Sequence, residues 1–153
     1  MPNPLFRARV FWLISRMGHA IYGRFPILGR IRGSVAVIRR EGGYLVIRRN
    51  DGLGLGFPGG IARRKEPPEQ AVRREVREET GLSVERAELL FDFRLDKPFP
   101  VHTFVFEVNT KGELRESWEG VPVVVGLEEL EKGIVVSQRP IVSYLRSNGA
   151  ALA

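Results

Sequence analysis

Apolar residues recur along this chain at two different periods, and the change of period marks the elements. Between residues 5 and 22, Phe6, Val10, Leu13, Met17 and Ile21 fall at helical spacing, flanked by Arg7, Arg9 and Arg16. Residues 23 to 33 are rich in glycine and proline and read as a connector. Ser34 to Arg39 and Tyr44 to Arg49 then read as two strands. Glu41-Gly42-Gly43 between them is a hairpin signal. Asn50 to Gly60 is a glycine-rich loop. After it the spacing turns helical from Pro67-Pro68, which suit a first turn where a missing N–H is harmless, to Gly81, a stop.

Alternation returns in two long strands, Val84 to Leu95 and Val101 to Val108, with a turn from Asp96 to Pro100. A polar loop from Lys111 to Gly120 leads into a strand over Val121 to Val125. A helical turn comes next at Leu127 to Leu130. A closing helix is expected over Ser137 to Arg146, with Ile141, Val142 and Leu145 on one side. Strands mixed with two or three helices predict an α/β fold in which helices cover a sheet. The expected organisation is an N-terminal helical extension and connector over 1–33, a domain over 34–147 and a tail over 148–153.

Composition narrows the class. The 153 residues suffice for one domain with a real core, and 43% hydrophobic with 27% charged residues is a globular balance. No cysteine is present, which removes disulfides, thiolate metal sites and thiol nucleophiles and makes a reducing cytoplasm the expected compartment. The net charge of +6 suits either a solvated basic surface or attraction to anions such as nucleotides. The uncharged apolar run from Val10 to Ile14 is far short of the roughly 20 residues that span a bilayer. The amphipathic segment 5–22 therefore has two readings. One is cover for its own domain or a homodimer partner, which its short length favours. The other is contact with a membrane surface.

The chemistry concentrates in GIARRKEPPEQAVRREVREETGL, residues 60 to 82. Advancing about 100° per residue, Glu78, Glu75 and Glu79 share an arc of about 100°, and Arg73, Arg77 and Arg74 lie elsewhere. Glu79 falls against the apolar stripe of Val72 and Val76. A solvated helix would alternate its charges. Here the signs are segregated, and a carboxylate at the edge of a buried face needs a cation beside it. Divalent hard cations with oxygen ligands meet that need, and Mg²⁺ suits carboxylates together with substrate phosphates.

Gly60, Glu66, Arg74-Glu75-Val76, Glu78-Glu79 and Gly81-Leu82 stand at every specified position of G-x5-E-x7-R-E-U-x-E-E-x-G-U, with U aliphatic. The segment thus resembles the Nudix box, strongly over residues 57 to 82. The order of elements from 34 to 147 also resembles the Nudix fold, a mixed β-sheet sandwiched between α-helices. The resemblance implies a metal-dependent pyrophosphohydrolase that cuts a diphosphate linkage in a nucleoside diphosphate-linked small molecule, with Mg²⁺, or Mn²⁺ in its place. It implies Glu75, Glu78 and Glu79 as metal and catalytic carboxylates and the Gly59 carbonyl as a further ligand. Arg74 would orient Glu75, and Glu66, Gly60 and Gly81 would be structural or outer partners. Lys65 departs from the family, where a glycine is common.

Arg48 matches the first of a pair of arginines that precede F-P-G-G in the 8-oxo-dGTP hydrolase branch. It and Phe57 are the implied substrate contacts, and strand alternation sets Arg48 and Arg49 on opposite faces. The proton of the attacking water would go to a box glutamate or to a loop carboxylate, Glu113, Glu116 or Glu119. His102 reads as a strand residue with its own hydrogen bond. Pro98 stands where the ADP-ribose branch carries a proline, but a turn would explain it equally. The tyrosine of the diadenosine polyphosphate branch is absent, so nucleoside triphosphates, nucleotide sugars and related diphosphates all stay open. Two rival readings are a nucleotide sensor without turnover and an RNA 5′-end pyrophosphohydrolase. No DNA-binding module is evident in the sequence.

Overall fold

The computed structural model describes residues 31–97 and 100–148. Its elements in order are strands β1 (Ile31–Arg40), β2 (Gly43–Arg49), β3 (Leu55–Gly56) and β4 (Gly59–Ile61), then helix α1 (Pro68–Thr80). Strands β5 (Ser83–Leu95), β6 (Val101–Lys111) and β7 (Gly120–Val125) come next. Helix α2 (Leu127–Gly133), a 3-10 turn (Val136–Gln138) and helix α3 (Arg139–Asn148) close the chain. The segment 5–22 and Pro98 lie outside the described residues.

The strands form a mixed sheet in the order β3-β2-β1-β6-β5, with β4 also on β1 and β7 also on β2. β1 and β6 run parallel, and the other pairs are antiparallel. Alternation along β1 sends Val35 and Val37 to one face and Ala36 and Ile38 to the other. The first face packs on Leu130 of α2 and on Ile141, Val142 and Leu145 of α3. The second packs on Val72 and Val76 of α1. The sheet is therefore sandwiched between helices, as expected.

Several features differ from those expected of the sequence. Ile31 to Gly33, read as connector, belong to β1, because they pair with Val101 to Thr103 of β6, seventy residues away in sequence. The glycine-rich loop contains β3 and β4, whose few residues show no period but pair with β2 and β1. The long strand β5 carries irregularities at Val84/Arg86 and Leu89/Phe91, which re-aim its side chains partway along.

The limits of α1 behave as read, whereas α2 runs on to Gly133 and the closing helix spans Arg139–Asn148 rather than Ser137 to Arg146. Pro67 caps the start of α1 and Pro68 is its first residue. Gly81 ends it in the left-handed conformation, φ 77°, with its N–H donating to the Arg77 carbonyl. Ser34, fully buried in β1, donates from Oγ to the Pro68 carbonyl and ties the start of α1 to the sheet.

Candidate active site

Helix α1 presents Ala71, Val72 and Val76 to the sheet, and that register carries two of its glutamates inward. Glu75 and Glu79 are buried, while Glu78 is half-exposed. Glu79 accepts a hydrogen bond from the Gly59 N–H at 3.0 Å. Burial pushes the Glu79 carboxyl up to about 9, helped by the nearby charge of Glu119, a shared hydrogen bond with that side chain, and the charge of Glu75. Burial also raises Glu75, against the Arg74 guanidinium beside it.

Arg74 is the hub of the helix surface. Its Nε and Nη2 reach the two Glu66 oxygens, each at 3.0 Å. Its Nη1 donates to Glu75 at 2.6 Å and to Glu78 at 3.2 Å. The adjacent glutamate is thus within reach despite the 100° step, because the long stem folds back. The Arg74 fork holds Glu66 at about 2, well below the usual carboxylate range. Glu66 also accepts from the Arg63 N–H at 2.8 Å, which closes the turn before α1. Lys65 sits in that turn at φ 65°, which accounts for the glycine common at this position.

The loop below the helix has no spare room. A Cβ at Gly59 would stand 2.3 Å from the Ser34 carbonyl oxygen, and one at Gly60 would stand 2.5 Å from a Glu75 oxygen. Gly59 is required by the pairing of β4 with β1, and Gly60 by the Glu75 carboxylate packed against it.

Of the three loop carboxylates, only Glu119 is brought to Glu79. Glu113 and Glu116 are exposed. The reason is in the main chain: the Asn50 N–H donates to the Glu119 carbonyl at 2.9 Å, and Asn50 Nδ2 donates to the Trp118 carbonyl. The loop end is thereby fastened beside the β2–β3 turn.

Two expected substrate contacts are placed elsewhere. The Phe57 side chain is 3% exposed and packs edge-on against Tyr44 in the core facing α2 and α3. Its area is used for packing, so only its main chain borders the site. Arg48 is exposed and faces Glu129 of α2 at 3.6 Å. Its neighbour Arg49 pairs with Asp51 and lies in the field of Glu119 and Glu79, which help raise its pKa. Alternation in β2 puts the second arginine, not the first, on the carboxylate side. His102 meets Asp92 at 2.5 Å, away from the box.

Among the described residues no three acidic or histidine side chains are already closed into a cation cage. Of the expected trio of Glu75, Glu78 and Glu79, Arg74 donates to the first two. The chemistry of the carboxylates around Glu79 fits a hard divalent cation. Glu79, Glu119 and Glu75 are carboxylates in one another's field, and burial first, then the charge of Glu119, pushes the Glu79 carboxyl up to about 9.

A family model, NUDIX domain, matches residues 29–145. The chain belongs to the Nudix family of hydrolases. A MutT-like protein of Streptomyces ambofaciens is 44% identical over 64 residues, 42% of this chain and 42% of that protein. An 8-oxo-dGTP diphosphatase of Haemophilus influenzae is 34% identical over 97 residues, 60% of this chain and 67% of that protein. The chain thus spans under half the length of the Streptomyces relative. Among solved structures, the ORF135 protein of E. coli superposes with TM-score 0.70 at 25% identity, covering 80% of this chain and 92% of that one. A MutT NUDIX hydrolase from Burkholderia pseudomallei superposes with TM-score 0.66 at 27% identity, covering 74% and 96%.

Proposed function

We propose that this Nudix protein is a divalent-metal-dependent pyrophosphohydrolase of nucleoside triphosphates, cutting one phosphoanhydride bond with water. The observation that carries the reading is the buried Glu79, fixed by the Gly59 N–H and standing in the field of Glu119 and Glu75. Mg²⁺ or Mn²⁺ bound there would supply charge neutralisation of the phosphates and a water acidic enough to attack near neutral pH.

The chain's own groups do the rest. Glu79 and Glu75 would hold the ion, and Gly59 is kept beside them by its bond to Glu79. Glu119, anchored through its main chain to Asn50, accepts the proton of the attacking water. Arg74 keeps Glu75 and Glu78 oriented. Arg49, in the field of Glu119 and Glu79, would offer positive charge to the substrate phosphates. The name of the Haemophilus relative makes a triphosphate with an oxidised purine the first compound to try.

The test is a panel of nucleoside triphosphates, nucleotide sugars and dinucleotides with Mg²⁺ or Mn²⁺, read by product mass. A nucleoside monophosphate and pyrophosphate are expected from the best triphosphate. Glu79→Gln and Glu119→Gln should each lower turnover by about a hundredfold or more. Glu113→Gln and Glu116→Gln should leave it at the parent rate. Full turnover in Glu79→Gln would end this reading.

A further inference from the structure

The chain leaving β3 toward Phe57 loses its main-chain partner just where the site begins. Leu55 bridges Ile134, and the Val135 N–H donates to the Leu55 carbonyl at 2.9 Å. Beyond that point the chain at 136–138 turns into a 3-10 helix. Phe57 is buried, and a buried N–H needs an acceptor. Gln138 supplies it: its side-chain oxygen accepts from the Phe57 N–H at 2.7 Å, and its Nε2 lies 3.5 Å from the Phe57 carbonyl as a weaker donor. One side-chain amide therefore takes the place of a strand neighbour, 81 residues away in sequence.

The two residues after Phe57 connect this clamp to the site. Pro58 has a ring-fixed φ, and its carbonyl accepts from the Ala36 N–H at 2.8 Å. The next group is the Gly59 N–H that meets Glu79. We propose that Gln138 is a positioning residue, which by holding both main-chain groups of Phe57 sets the Gly59 N–H on the Glu79 carboxylate and keeps the catalytic loop in register with α1. The proposal rests on the pyrophosphohydrolase reading for its kinetic consequence, and on geometry alone for its effect on Gly59.

The test compares Gln138→Met, similar in length but without the amide, with Gln138→Glu, which keeps an acceptor for the Phe57 N–H. Each is measured for kcat and KM on the best triphosphate with Mg²⁺, and for amide hydrogen exchange at Gly59. Gln138→Met should lower kcat by roughly tenfold to a hundredfold, as loss of a supporting partner does. Its KM should move by less than about threefold, because the lost interaction is not with substrate. Exchange at Gly59 should be faster in Gln138→Met, and Gln138→Glu should restore most of both properties.

Parent kcat together with parent exchange at Gly59 in Gln138→Met would overturn the proposal. So would a raised KM or a changed preference between purine and pyrimidine triphosphates with Gly59 unaltered, since that would place Gln138 on the substrate. A Gln138→Met protein without a cooperative melt would overturn it too, by showing that Gln138 holds the whole fold rather than one loop. If the parent hydrolyses nothing on the panel, the function proposed for the site fails, and the Gly59 comparison still decides the clamp.

Discussion

At Gly60 the volume a methyl group would need is already taken by the Glu75 carboxylate. Gly60→Ala must push that side chain off Arg74 or move β4 away from the helix. Overpacking of this kind costs about 1–3 kcal/mol, and here it also displaces a carboxylate of the site. Turnover and melting temperature should both fall, and unchanged turnover would show that the position of Glu75 is unimportant. Lys65 offers the opposite case. A non-glycine residue in the left-handed region costs roughly 1–2 kcal/mol, and the extra freedom of an unfolded glycine returns about 0.5–1 of it. Lys65→Gly should therefore be neutral or up to about 1 kcal/mol more stable in urea unfolding. A clear loss of stability would mean that the Lys65 side chain makes a contact worth more than its strain.

Helix α1 works as an element because its two ends and its register are set independently. Its start is fixed by Pro67, Pro68 and the Ser34 hydroxyl, its end by Gly81. A Cβ at Gly81 would meet the Arg115 side chain at 3.0 Å in addition to the left-handed strain. Gly81→Ala should cost about 1–2 kcal/mol by denaturant midpoint, with unchanged m-value. A cost near zero would mean that the chain can leave the helix by another turn. The element was largely legible in advance. Periodicity marked its apolar face, the prolines and Gly81 marked its limits, and the wheel put Glu79 against the core. The wheel could not show that Arg74 would reach round to Glu75 and also grip Glu66, because that depends on the loop brought under the helix by β4.

For the whole molecule, the two most shifted carboxylates act on stability in opposite pH windows. Glu66 is held at about 2, below its ordinary 4.5, so its contribution is complete above about 4.5 and is lost as the pH falls toward 2. Glu79 is raised from 4.5 to about 9, so between those values the folded chain holds a proton the unfolded chain has released. Stability should then fall as pH rises through that window. In chelator-treated protein the melting temperature should decline from about pH 5 to 9, and Glu79→Gln should flatten the decline. The same slope in both proteins would mean that Glu79 ionises normally. Since a ligating carboxylate must shed its proton, thermal stabilisation by Mg²⁺ should grow with pH over that range.

The family, the helix that carries the carboxylates, the hairpin before it and the closing helix were set by local order alone. A box of fixed spacing, period-2 and helical stripes, and turn residues are all short-range signals. Long-range approach decided the rest. Glu119 separated from Glu113 and Glu116 because Asn50 fastens its main chain. Arg49 rather than Arg48 came into the field of Glu119 and Glu79 because β2 had to pair in one register. Phe57 turned into the core, and Gln138 reached its backbone across 81 residues. None of these leaves a periodic trace, because each depends on which distant segment packing brings alongside.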